Sequence, residues 1–177
     1  NLNKKYELIF VDDGSHDNTY SKLCEVYNKD NNVNIIRLSK NFGQSLALSA
    51  GFDYARGEII ISMDGDLQHD PNDLPKFLEK IYSGFDIVSG YKINGTDNLL
   101  IKRLSAQIAK KLISLIFGIN LKDISSSFKA YRKEVIKDIK LFSGLHRFVP
   151  LLIKKEKFSI CEIKIKSRKR IYGKSHY

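Results

Sequence analysis

Glu58-Ile59-Ile60-Ile61-Ser62-Met63-Asp64-Gly65-Asp66 is the stretch on which the fold turns. A short apolar, β-branched run that stops on carboxylates reads as a buried strand delivering its end to a polar loop. The pattern also occurs earlier, where Tyr6-Glu7-Leu8-Ile9-Phe10-Val11 runs into Asp12-Asp13-Gly14-Ser15. Val33 to Leu38 is another apolar strand, broken by Asn41-Phe42-Gly43, and Asp86 to Ser89 is a fourth. Three helices are predicted between them. The first is capped by Ser15 or Asp17 and runs to about Asn28, with Tyr20, Leu23, Cys24 and Tyr27 facing inward. The second runs from about Gln44 to Ala55 and is stopped by Arg56-Gly57. The third runs from about Asn72 to Tyr82. Strands that alternate with helices, each strand a continuous apolar run, predict an α/β fold: a mostly parallel sheet with helices on both faces. Ligands bind such sheets at the carboxyl ends of the strands, and both acidic motifs fall there.

The pattern changes after Asn98. Leu100, Leu104, Ile108, Leu112, Leu115 and Ile116 recur at helical spacing, with Lys102, Arg103, Lys110 and Lys111 between them. This reads as a core-packing helix or as a basic amphipathic helix near a membrane surface. Ile163 and Ile165 alternate with Lys164 and Lys166, as in a half-exposed late strand. The 177 residues carry a net charge of +10, and 154–177 alone hold nine Lys/Arg against two Glu. Such a block is either a solvated surface or a contact for anionic lipid, nucleic acid or a phosphorylated substrate. No nucleic-acid partner is expected, because no reading motif accompanies the basic tail. No run approaches the ~18 apolar residues of a membrane span, and no signal-peptide pattern is visible. Cys24 and Cys161 fit no metal or redox spacing, so a reducing, cytoplasmic setting is expected.

The chemistry begins with Asp64-Gly65-Asp66. Two carboxylates two residues apart, just past a buried strand, can converge on a hard cation such as Mg²⁺ or Mn²⁺. Gln68 is close enough to supply a neutral oxygen, and Gly65 would let the backbone turn tightly and admit a diphosphate. Asp12 and Asp13 could accept hydrogen bonds from a ribose or base. An Asp-Gly-Ser turn with helix capping is the simpler role, expected more of Ser15 and Asp17 than of the Asp pair. Arg170, Lys174 and Ser175 form a third set, in which Arg grips a phosphate in bidentate fashion and Lys adds a point charge. His16, His69, His146 and His176 are scattered, with no activated serine or cysteine motif beside them, and no Walker A or G-x-G-x-x-G sequence occurs.

Taken in order, these segments resemble glycosyltransferase family 2, in its dolichyl- or polyprenyl-phosphate sugar synthase branch. The matching stretches are Val11-Asp12-Asp13-Gly14-Ser15, Asn41-Phe42-Gly43-Gln44 and Met63 through Pro71, and the later Arg103-x-Ser105. They continue with Asp123-x-x-Ser126-Ser127-Phe128-Lys129, His146-Arg147-Phe148-x-Pro150 and Arg170-x-x-Gly173-Lys174-Ser175-x-Tyr177. The resemblance implies a GT-A (Rossmann-like) fold, a nucleotide-sugar donor and inversion at the anomeric carbon. It implies that Asp12 and Asp13 contact the nucleoside, and that Asp64, Asp66 and Gln68 hold the divalent cation and diphosphate. Lys92, Arg103 and Ser105 resemble positions near the acceptor phosphate, Lys92 standing where many relatives have Arg. Asp66 and Asp123 are the expected catalytic residues, and Arg170, Lys174 and Ser175 resemble a loop closing on the phosphates.

Relatives begin with one more strand and a Pro-x-Tyr-Asn-Glu-like motif ahead of Val-Asp-Asp-Gly-Ser. The expectation is therefore a single catalytic domain over residues 1–177 that lacks its first strand and is a piece of a longer chain. The expected reaction is hexose transfer from a GDP- or UDP-sugar to a polyprenyl or dolichyl phosphate, peripheral to the cytoplasmic membrane face. Transfer to a saccharide hydroxyl is the alternative within the family, and an impaired lipid- or nucleotide-binding fragment is the alternative outside catalysis. The oligomeric state is left open.

Overall fold

The computed structural model describes residues 4–92, 121–123, 126–137, 158–166 and 168. The chain divides into two compact units, Asn1–Ile60 with Arg132–Val149, and Ile61–Tyr131 with Pro150–Tyr177. The basic helix expected from Asn98 onward lies outside the described residues.

The first unit is built on a βαβ crossover. Strand β1 (Leu8–Asp12) and strand β2 (Val33–Arg37) pair in parallel, from Leu8 opposite Val33 to Asp12 opposite Arg37. Parallel neighbours need a long connection, and helix α1 (Thr19–Tyr27) supplies it. Its start is set by Asp17, whose Oδ1 accepts the Thr19 amide at 2.9 Å. The expected inner face is only partly real. Tyr20, Leu23 and Cys24 are half-buried, but Tyr27 is 52% exposed. Tyr27 ends the helix, where the chain already turns off toward β2, whereas the Tyr20 ring lies under the Arg37 guanidinium at 4.1 Å. Helix α2 (Gln44–Tyr54) ends where Ala55 becomes extended. There Glu7 takes over, its Oε1 accepting the Arg56 and Gly57 amides at 2.7 and 3.2 Å. Burial works to raise the Glu7 carboxyl, but these bonds and the Arg56 guanidinium outweigh it and hold it below the usual range. Among the described residues Val33, Phe52, Ala55, Val135 and Ile136 are the buried apolar ones of this unit.

The other sheet holds β3 (Ile59–Ser62), β4 (Ile87–Lys92), β5 (Lys129–Arg132) and β6 (Ile160–Ile165), in the order β3-β5-β4-β6. Strand β6 runs parallel to β4 over six residue pairs. It is the late strand that the Ile/Lys alternation predicts, with Ile163 and Ile165 buried and Lys164 exposed. Strand β5 was not foreseen, and it runs antiparallel to β4, so the sheet is mixed. Its four residues, Lys-Ala-Tyr-Arg, have neither the apolar run nor the alternation that marks a strand; their burial comes from lying between two others. Helix α3 (Leu74–Tyr82) follows a 3₁₀ turn at Pro71–Asp73 and buries Phe77 and Ile81. Phe77 meets Phe128 with ring centroids 4.3 Å apart, beside the fully buried Ile87 and Val88 of β4. Each such ring contributes on the order of 2–3 kcal/mol through burial.

Gly14 is the tightest of the described glycines of the first unit. Its φ is +71°, and a Cβ there would sit 2.4 Å from the Lys40 carbonyl carbon and 2.6 Å from the Asn41 nitrogen. Both atoms are backbone, so neither can swing aside. Gly14→Ala is expected to destabilise the protein by at least ~2 kcal/mol, combining left-handed strain with overpacking. Urea denaturation, read as a fall in the midpoint, checks this.

Candidate functional site

Beyond Ser62 the chain leaves β3 as Met63-Asp64-Gly65-Asp66-Leu67-Gln68. The chain bends over 65–67, and the left-handed residue of that bend is Leu67, with φ +62°, rather than Gly65. A leucine there costs roughly 1–2 kcal/mol. Local bonds hold it: Asp66 Oδ1 accepts the Gln68 amide at 3.1 Å, and the Gln68 carbonyl accepts the Arg168 amide at 2.9 Å. Among the described residues no atom lies within 4 Å of where a Gly65 side chain would begin. Asp64 and Asp66 are both half-buried and Gln68 is half-buried beside them.

Asp64 is held from one side. The Ser127 hydroxyl donates to Asp64 Oδ2 at 2.5 Å, and His69 Nε2 stands 3.1 Å from the same hydroxyl oxygen. Ser127 is itself fixed, because its carbonyl accepts the Ser62 hydroxyl at 2.7 Å. The imidazole is buried and packs against Phe128 at 5.1 Å. Burial pulls the His69 pKa down and the Lys92 charge pulls the same way, while Asp64, Asp66 and Asp123 oppose them. His69 had been passed over for lack of a nucleophile motif. Its partner Ser127 comes from 58 residues away, a distance at which no spacing rule applies.

A second group lies nearby in charge terms. Lys129 is 1% exposed, and its ammonium donates to the Ser126 carbonyl. Burial lowers its pKa to about 8, against the attraction of Asp123, Asp64 and Glu162. Glu162, on β6, grips the segment carrying Asp123: it accepts the Lys122 amide at 2.7 Å and the Asp123 amide at 3.0 Å.

In the first unit Asp12 and Asp13 are both engaged by their own chain. Asp12 Oδ1 accepts the Ser15 amide at 2.9 Å, so Asp12 makes the turn expected of Ser15. Its Oδ2 is buried without a hydrogen bond, 3.6 Å from Arg37 Nε. Asp13 accepts the Phe42 and Gly43 amides at 2.8 and 2.9 Å, which ties Val-Asp-Asp-Gly-Ser to Asn-Phe-Gly. Beside them an open cleft of about 360 Å³ is lined by Gly14, Ser15, His16, Arg37, Leu38 and Ser39. Arg103, Ser105, Arg170, Lys174 and Ser175 lie outside the described residues.

Among the described residues no three His, Cys, Asp or Glu side chains group as a metal site. A pair of half-buried carboxylates at the rim of open space still fits Mg²⁺ or Mn²⁺, which bind through one or two carboxylates and complete their shell with substrate phosphates and water.

The sequence pattern of glycosyl transferase family 2 matches residues 1–140. The chain belongs to this family. Over 148 residues this family 2 chain is 39% identical to the dodecaprenyl-phosphate galacturonate synthase of Rhizobium johnstonii, covering 82% of itself and 44% of that protein. It is 34% identical over 177 residues to the undecaprenyl-phosphate 4-deoxy-4-formamido-L-arabinose transferase of Proteus mirabilis, covering 99% and 54%. The chain thus spans about half the length of the curated relatives it matches. Its fold is GT-A. The glucosyl-3-phosphoglycerate synthase of Mycobacterium tuberculosis, solved with Mn²⁺, UDP-glucose and phosphoglyceric acid, superposes with a TM-score of 0.67. That match covers 93% of this chain and 61% of the other at 19% identity. A mannosyltransferase of Pyrobaculum calidifontis, solved with GDP-mannose and Mn²⁺, gives 0.65 at 17% identity, covering 94% and 49%.

Lys129 gives this site a pH signature. Its folded pKa of about 8 lies below the ordinary 10.5, so between these values the unfolded chain holds a proton that the folded chain lacks. Its contribution to stability therefore rises from about pH 8 to 10.5 and is flat below. The difference in urea midpoint between the parent and Lys129→Met is expected to change across that window and to stay constant from pH 6 to 7.5.

Proposed function

We propose that this protein transfers a hexose from a nucleotide sugar to a polyprenyl phosphate, with residues 1–177 contributing its catalytic domain. The observation that carries the reading is the pair of half-buried carboxylates, Asp64 and Asp66, just past the end of β3, with Ser127 holding Asp64 Oδ2 at 2.5 Å. Carboxylates suit a cation-bound diphosphate and a cationic side chain suits an acceptor phosphate. The names of the Rhizobium and Proteus relatives, both polyprenyl-phosphate sugar enzymes, support the choice of acceptor.

In this reading an oxygen of the acceptor phosphate attacks the anomeric carbon of the sugar. The bond from that carbon to the nucleoside diphosphate breaks on the opposite face, and configuration inverts. A phosphate acceptor is largely dianionic near neutral pH, its second pKa being ~6. It needs positioning more than deprotonation. Lys92, with Arg103, Ser105, Arg170, Lys174 and Ser175, would steady its charge and that of the donor. Asp64, Asp66 and Gln68 would hold Mg²⁺ or Mn²⁺, which when bound neutralises charge growing on the leaving diphosphate. Asp123 orients groups on the acceptor side, its backbone already fixed by Glu162. Asp12 and Asp13 shape the nucleoside pocket through the turn and loop they hold. An anionic membrane surface would meet the basic 154–177 segment and keep the enzyme at the cytoplasmic face. Among the described residues no helix is long and apolar enough to cross a membrane.

The test supplies radiolabelled UDP- or GDP-hexose to the full-length protein with either polyprenyl phosphate or an oligosaccharide. Label is expected in the lipid product, and Asp64→Ala or Asp66→Ala is expected to lower its formation ~10²-fold or more. Label only in the oligosaccharide would transfer the chemistry to a hydroxyl acceptor and make Asp123 a general base. Unchanged turnover in both variants would remove the carboxylates from the mechanism.

A further inference from the structure

Asp64 is a carboxylate on a loop, and such a group ordinarily rotates freely about its terminal bond. Here one oxygen is held at 2.5 Å by a hydroxyl. An ionised carboxylate can only accept hydrogen bonds, so the Ser127 proton points at Asp64. The lone pairs of that hydroxyl are left to face His69 Nε2, 3.1 Å away. Nε2 must then carry its hydrogen and donate. Nδ1, buried and without a hydrogen-bond partner, is left as a bare lone pair.

This polarity has one direction, from imidazole to hydroxyl to carboxylate. It differs from a nucleophilic triad, in which the carboxylate holds the histidine and the histidine takes the serine proton. Here the serine proton is given to the carboxylate, and the histidine stands beside the serine, its Nε2 3.9 Å from the same carboxylate oxygen. Both supporting groups have a further anchor besides Asp64. The Ser127 carbonyl is bonded to Ser62 on β3, and His69 is packed against Phe128, whose ring meets Phe77.

We infer that Ser127 is a positioning residue, with His69 beside it, and that it presets the Asp64 carboxylate for the cation-bound sugar diphosphate. This rests on the reading of Asp64 under the proposed function. Groups behind a metal-binding carboxylate commonly change affinity 10–100-fold when removed. Fixing one oxygen by a preset donor lowers the ordering cost of binding, and that cost returns when the donor is lost.

The experiment measures Mn²⁺ affinity by calorimetry, alone and with UDP or GDP, in the full-length protein and in Ser127→Ala, Ser127→Thr and Asp64→Asn. Nitrogen-15 spectra of the histidine rings, with His69→Gln for assignment, report the tautomer in the same samples. Ser127→Ala is expected to weaken Mn²⁺–nucleotide binding about 10-fold or more. The His69 signal is expected to lose its fixed Nε2–H form, and Ser127→Thr, which keeps the hydroxyl, is expected to restore both. If Ser127→Ala binds like the parent while Asp64→Asn does not, positioning by Ser127 is wrong and the role of Asp64 survives. Parent-like binding by Asp64→Asn would overturn both. An Nδ1–H tautomer in the parent would overturn the hydrogen-bond direction on which the inference rests. Should Ser127→Ala fail to fold, Ser127→Cys, with a far weaker donor, is expected to show the same loss, and parent-like binding by it counts against the inference.

Discussion

Carboxylates that accept backbone amides from distant loops are the interaction on which both units depend. Glu7 takes the amides of Arg56 and Gly57, Asp13 those of Phe42 and Gly43, and Glu162 those of Lys122 and Asp123. Each pair of consecutive N–H groups lies in irregular chain, where no ladder or helix would satisfy it. Hydrogen bonds to an ionised acceptor contribute about 1.5–3 kcal/mol apiece. Six of them fix three loops that would otherwise be free to sample many conformations.

The same device recurs singly around the acidic loop. Asp66 bonds the Gln68 amide, Asp70 bonds the Asn72 amide and pairs with Arg168, and Asp73 accepts the Lys166 amide while pairing with Lys76. The Asn72 amide leads in holding the Asp70 carboxyl below its ordinary range, with Arg168 contributing. Within this run only some carboxylates are suited to a ligand. Asp70 and Asp73 are buried and serve the scaffold, while Asp64 and Asp66 are half-buried beside open space. Burial separates the structural acids from the candidate functional ones.

Much of the fold was legible because the apolar runs carry it. Ile59 to Ser62, Val33 to Arg37 and the Ile163/Ile165 alternation each announce a strand by side-chain pattern. Strand β5 was not legible, since Lys129 to Arg132 take their burial from neighbours rather than from their own chemistry. The Asp64 and Asp66 pair could be read from local spacing and the strand before it. Ser127, His69, Lys129 and Glu162 could not be assigned roles that way, because each acts on a residue brought near only by the finished sheet. Leu67 shows a subtler failure. Glycine is the usual bearer of a left-handed turn, yet the strain sits on a leucine and Gly65 is left unstrained.

The pairing of β6 with β4 carries a consequence for how the protein is made. The clamp on Asp123 comes from a strand whose first contact with β4 spans 73 residues of chain. Closing so long a loop is slow relative to forming helices and adjacent strands. A ribosome emitting this chain therefore releases the acidic loop and its Asp64–Asp66 pair well before the residue that fastens Asp123. Until β6 docks, the growing chain has Asp64 and Asp66 but not the side chain that fastens the Asp123 backbone. The order of synthesis thus delays the fixing of that segment until the sheet is complete.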